Sequence, residues 1–219
     1  MRHAEVRFAA SADPSGADAG GADGDPPLTA RGVQQAAALA ERAARWKRPT
    51  AVLVSPALRA RQTAEPLCAV LGVPAEIVPW LAEVRAQGGS TVDAMRAAER
   101  IEAEAMAELR ARVASGLASV LASSGATPAA TPGRWTLANT EARTAWNDAR
   151  IVLVGHGMAH AVALEWLLGI EGVPWAAHRL QFSHAAFAAV RAFPFAGDWV
   201  FGLVRYDETN HLTREIRTF

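Results

Sequence analysis

A chain of 219 residues and 23.2 kDa with 51% hydrophobic residues can bury one core, as one domain or one domain with an insertion, which excludes disorder throughout. Lys plus Arg number 22 and Asp plus Glu number 22, so no net field holds a polyanion, and a general nucleic-acid binder is excluded. Cys68 is the only cysteine, which excludes an internal disulfide or a cysteine-built zinc site and fits a reducing, cytoplasmic compartment.

The opening MRHAEVRF lacks the apolar core and small-residue cleavage pattern of a secretory signal. Residues 9–26, with four aspartates and no basic residue, cannot bury an apolar face and predict a loop. Asp13, Asp18, Asp23 and Asp25 are spaced too irregularly for a cation site and are expected to be solvated. Thr29 can cap a helix from about Ala30 to Trp46, with Val33, Ala36, Ala37, Ala40 and Ala43 at helical spacing.

AVLV at 51–54 and IVLV at 151–154 are short apolar runs of the kind buried on both faces of a parallel sheet. Each is followed by a polar turn and a helical pattern, so the expected fold is α/β, a three-layer sandwich with a mostly parallel central sheet flanked by helices. Between them, the S-x-x-D of Ser90 and Asp93 can open a helix, and Met106, Leu109, Val113, Leu117 and Val120 continue at helical spacing. A helical insertion over about 91–122 is expected after the loop that follows Glu83, tethered by the low-complexity residues 123–134, within one domain 1–219. Two further strands are expected at Ala185–Val190 and Trp199–Arg205. No apolar run reaches the ~18 residues of a membrane span, because Arg191, Pro194, Gly197 and Asp198 interrupt the richest stretch.

Three polar segments stand at or beside strand ends: Arg2-His3, the run from Ser55 through Arg59 to Thr63, and Gly155-His156-Gly157. In a parallel sheet, turns at the carboxyl ends of strands open into one crevice, so Arg2, His3, Arg59 and His156 can share a pocket. His156 and His160 stand at i and i+4, yet no third metal ligand is evident. His178, His184 and His211 are expected to be structural hydrogen-bonders, and the tryptophans core and pocket wall.

With these segments, RHAE, PLTARGVQQA, SPALRARQTAEPL, Trp80-Leu81-Ala82-Glu83, VGHG and RYDETNHL, the chain resembles the histidine phosphatase superfamily along its whole length. The resemblance implies that His3 is a nucleophile that becomes phosphorylated. Arg2, Arg59 and His156 would bind the phosphate, Glu83 would be the general acid, with Glu65 or Glu76 as alternatives, and His184 would stand in a region that often lines the family's pocket. It implies a phosphomonoester phosphatase that needs no cofactor and no metal and takes a small-molecule substrate, with no nucleic-acid or membrane partner and an oligomeric state left open.

Residues 8–30 carry no Lys or Arg and would repel a second phosphate, which favours a phosphatase over a phosphoglycerate mutase-type phosphotransferase. A weakened member that binds a phospho-ligand or a protein is the other alternative. Only Met1 precedes the Arg-His pair, where the family has an apolar strand. The expectation is therefore either a start further upstream or a sheet lacking that usual first strand, with Met1 to Phe8 mobile.

Overall fold

In the computed structural model, residues 1–6, 25–84, 92–170 and 177–219 are described. Among them, β1 (Ala51–Val54) lies between β2 (Ala75–Ile77) and β5 (Ile151–Val154), all parallel, with Ala51 opposite Ile151 and Val54 opposite Val154. Side chains alternate across the sheet. Val52, Val54, Val152 and Val154 pack on the side of α1 (Ala30–Ala43) and α2 (Leu58–Leu71), while Leu53 packs against Val78 and Leu81 on the other. The α/β reading and the flanking helices are as expected.

The second face carries α3 (Val92–Ser123) and α5 (Gly157–Leu168), which share a core built on Met106, Leu109, Val113 and Leu117. Ser90, the expected cap of α3, lies outside the described residues. The supposed tether 123–134 holds a strand, β3 (Ala126–Pro128), paired antiparallel with β4 (Arg134–Leu137). Gly125 and Gly133 adopt positive φ at its borders, and the Thr and Pro residues that look like a linker are compatible with a short edge strand. A nine-residue helix, α4 (Thr140–Asp148), also escapes the sequence pattern because it buries only Trp146.

β6 (Phe187–Phe195) and β7 (Asp198–Glu208) complete this antiparallel sheet in the order β3-β4-β7-β6. Both run longer than expected. The supposed breakers serve the hairpin: Ala196 and Gly197 both have positive φ, and Phe195 pairs with Asp198, which makes a tight two-residue turn. No helix among the described residues is long and apolar enough to cross a membrane.

The N-terminal residues contradict the expected mobility. Met1, His3, Ala4 and Val6 are buried. Arg2 bridges Gly155 in parallel, His3 N–H donates to Gly155 O at 2.8 Å, and Ala185 N–H donates to His3 O at 3.2 Å. Backbone pairing on both sides pins the segment although only its end reaches the sheet. Phe8 lies outside the described residues. Alongside Met1, between β5 and β6, is a cavity of about 550 Å³ lined by Ile151, Leu153, Leu164, Phe187 and Val190 among others.

Candidate active site

The pocket forms where Met1–His3, the carboxyl end of β1 and the carboxyl end of β5 meet. His3 follows the Arg2 bridge, Arg59 stands in the first turn of α2, and His156 occupies the N-cap of α5. The His3 and His156 rings lie edge to face, 5.1 Å apart. Arg59 Nε donates to His3 Nε2 at 3.3 Å. The structure thus brings His3, Arg59 and His156 together.

Hydrogen bonding fixes the His3 tautomer. His3 Nδ1 lies 2.8 Å from Ala4 O, an acceptor only, so Nδ1 carries the proton and Nε2 keeps its lone pair toward Arg59. Ser55 Oγ accepts from Ala57 N–H and stands 2.8 Å from His156 Nε2. The hydroxyl keeps a second lone pair, so either atom of this pair can donate; with Ser55 donating, the His156 proton stands on Nδ1. That Nδ1 is buried and has no hydrogen-bond partner among the described residues. Burial first, then the neighbouring arginines, lowers both imidazoles: His156 to about 3, and His3, with His156 also contributing, to about 2. Both are neutral at neutral pH.

Arg2 donates from Nη1 to Phe182 O and from Nη2 to His184 Nε2, the latter at 3.0 Å. Glu83 accepts from Val84 N–H at 3.0 Å and from Met158 N–H, in the first turn of α5, at 3.1 Å. Burial raises its pKa against the opposing pull of those two N–H groups, Arg59 and Arg2. Glu65 and Glu76 are exposed. Glu83, by contrast, is buried with the charges of Arg2 and Arg59 acting on it.

Other residues of the quoted motifs hold this geometry. Thr63 Oγ1 accepts Ala4 N–H at 3.0 Å and donates to Arg59 O at 2.7 Å. Gln35 accepts Glu5 N–H at 2.7 Å and donates to Ile216 O and Thr218 Oγ1. Gly32 is required because a Cβ there would stand 2.2 Å from Glu5 O. Asp207 accepts from Ser183 N–H and Oγ, and His211 donates to Ala185 O at 3.1 Å. Together they hold residues 183–185 against Arg2 and His3.

Sequence reasoning missed one participant and placed a second only near the pocket. Asp25, assigned to a solvated loop, accepts from Arg59 Nη1 at 3.1 Å and from Leu58 N–H at 2.7 Å. The signal was present in its position just ahead of the PLT motif, but one aspartate among several in a Gly-rich run is not distinguishable by pattern. His184 is a structural hydrogen-bonder as expected, yet it also lies 5.8 Å from the His3 ring and orients Arg2. Its Nδ1 is bonded to Thr218 Oγ1. His160, the supposed second member of an i, i+4 pair, instead donates from Nε2 to Met1 O at 2.5 Å.

Two buried neutral imidazoles and two arginines at the strand ends make an anion pocket on an α/β scaffold. Residues 1–198 match the family model of the histidine phosphatase superfamily (branch 1), and the chain belongs to that superfamily. No curated protein matches it. Among solved structures, a mycobacterial glucosyl-3-phosphoglycerate phosphatase with bound VO3 is similar at 21% identity and TM-score 0.64, with 95% of this chain and 97% of that one covered. A phosphoserine phosphatase from Entamoeba histolytica, complexed with 3-phosphoglyceric acid, has 18% identity and TM-score 0.63, with 97% and 96% covered. The α-ribazole phosphatase from Shigella flexneri has 19% identity and TM-score 0.59, with 93% of both chains covered. These likenesses establish the shared fold.

Proposed function

We propose that the chain is a phosphomonoester phosphatase acting on a small-molecule substrate through a phosphohistidine on His3, without a metal. The observation that carries this reading is the lone pair of His3 Nε2, aimed at Arg59 with the His156 ring beside it. A neutral imidazole nitrogen is a nucleophile, and phosphoryl transfer is governed by positioning and charge neutralisation. The phosphatase activities named for the similar structures agree with it.

In the first step, Nε2 attacks phosphorus in line as the P–O bond to the leaving group breaks. Arg59, Arg2 and His156 Nδ1–H take up charge on the equatorial oxygens. Glu83, whose neutral form is favoured by burial, gives its proton to the leaving alkoxide. In the second step, the Glu83 carboxylate takes a proton from water, the oxygen attacks phosphorus and the P–N bond breaks. Phosphate leaves, and both residues return to their starting states. The single cysteine and this chemistry fit a cytoplasmic enzyme.

The test is hydrolysis of an aryl phosphate in excess chelator, with acid-labile phosphate trapped on the protein. Wild type should turn over and trap phosphate, and His3→Ala should do neither. Turnover restored only by a divalent metal, or unaffected by His3→Ala, would refute the reading.

A further inference from the structure

Arg59 is held from two sides. Its Nε faces His3 Nε2 at 3.3 Å, while Nη1, on the other side of the guanidinium, meets Asp25 Oδ1 at 3.1 Å. The second oxygen of the same carboxylate accepts Leu58 N–H at 2.7 Å. Leu58 opens α2, whose N-cap Ala57 offers no side-chain acceptor. Asp25 therefore caps the helix from another segment and, with the same group, fixes the arginine one residue further on.

The Arg59 side chain is largely buried, at 12% exposure, and that of Asp25 is at 38%. A guanidinium is a rigid planar fork, so holding one corner sets the direction of the opposite edge. Long flexible side chains otherwise lose rotamer freedom when they engage a ligand. We propose that Asp25 is a positioning residue of the phosphate clamp: it locks Arg59 so that its Nε edge faces the phosphoryl group on His3. The proposal rests on the phosphatase reading above.

A carboxylate so near a phosphate site admits an opposite role, in which it competes with the substrate for Arg59. The two roles differ in sign. If Asp25 positions Arg59, removing its charge weakens phosphate binding and slows turnover. If it competes, the same change tightens phosphate binding by removing a like charge.

The experiment compares wild type with Asp25→Asn, which keeps an oxygen for Leu58 N–H but loses the ion pair. Inorganic phosphate serves as competitive inhibitor and an aryl phosphate as substrate. Expected are a Tm within a few degrees of wild type, a kcat lower by about tenfold, as misplacement of a catalytic group produces, and a several-fold weaker phosphate Ki. Asp25→Glu should recover part of the loss. In an Arg59→Lys background, Asp25→Asn should have no further effect on the phosphate Ki, because its action passes through the arginine.

Tighter phosphate binding in Asp25→Asn would overturn the proposal in favour of competition. Unchanged kcat and Ki, or an equal penalty in the Arg59→Lys background, would reduce Asp25 to a helix cap. A wild-type protein that neither hydrolyses the aryl phosphate nor binds phosphate would refute the phosphatase reading itself, a result distinct from all of these.

Discussion

The amide of Ala4 donates to the hydroxyl of Thr63 at 3.0 Å, and the same hydroxyl donates to the Arg59 carbonyl at 2.7 Å. One fully buried side chain thus ties the nucleophile turn to the helix that carries the clamp. Thr63→Val keeps the shape but strands the Ala4 N–H, at a cost of about 1–3 kcal/mol. A fall in Tm of roughly 5 °C is expected for a domain of this size, together with lower aryl phosphate turnover. Thr63→Ser should restore both, and a Val variant with wild-type Tm and kcat would show that the tie is dispensable.

Glu83 and Arg59 should separate kinetically. A clamp acts on charge present in bound substrate and transition state alike, whereas a general acid matters most when the leaving group is poor. Glu83→Gln should lower kcat for an alkyl phosphate on the order of 10²-fold or more and for an aryl phosphate far less. Equal losses on the two substrates would move the acid role to another group.

Much of this site was legible because the chemistry-bearing residues sit directly beside strands that announce themselves as apolar runs. AVLV and IVLV locate Ser55, Arg59 and His156, and the helix start at Thr29 locates Gln35. Asp25 was illegible for a different reason: its partners, Leu58 and Arg59, are more than thirty residues away, and nothing local to the loop encodes them. The strand β3 and helix α4 were hidden because each buries little of its own surface, so periodicity carries almost no signal. The burial of Met1 follows from tertiary pairing with Leu153 and Gly155, which no local pattern predicts.

Stability should fall on mild acidification. His3, His156 and His160 all have folded pKa values depressed chiefly by burial, while the unfolded chain takes up protons near 6.5. The unfolded state therefore binds more protons below 6.5. Their contribution is complete above that value and is lost as pH falls toward the folded values, by about 1.4 kcal/mol per pH unit for each group that titrates. Urea midpoints at pH 7.5, 6 and 5 should decline steeply. His160→Gln, which lacks one of these groups, should lose less stability than wild type between pH 7.5 and 5.

The last prediction concerns the amino group of Met1 in the 219-residue chain. It donates to Leu153 O at 2.6 Å, and burial lowers its pKa to about 5. There it occupies the position of a peptide N–H in a parallel ladder, next to the open cavity along β5. A chain lengthened by about five apolar residues, a typical strand length, would replace the ionisable group with an amide, fill apolar space and extend the pairing along β5. The lengthened chain should have the higher Tm.

The pH dependence separates that effect from simple filling. An unfolded α-amine titrates near 8, so between pH 8 and 5 the unfolded 219-residue chain binds a proton that its folded form excludes. Its stability relative to the lengthened chain should therefore drop as pH falls through that window, by on the order of 1.4 kcal/mol per unit. His3 and His156 are common to both chains and cancel in the difference, whereas His160 does not wholly cancel, because the Met1 ammonium also lowers its pKa. A Tm gap that stays constant from pH 8 to 6 would show that the Met1 amine is solvated. No gap at either pH would show that the cavity beside β5 does not accept a strand.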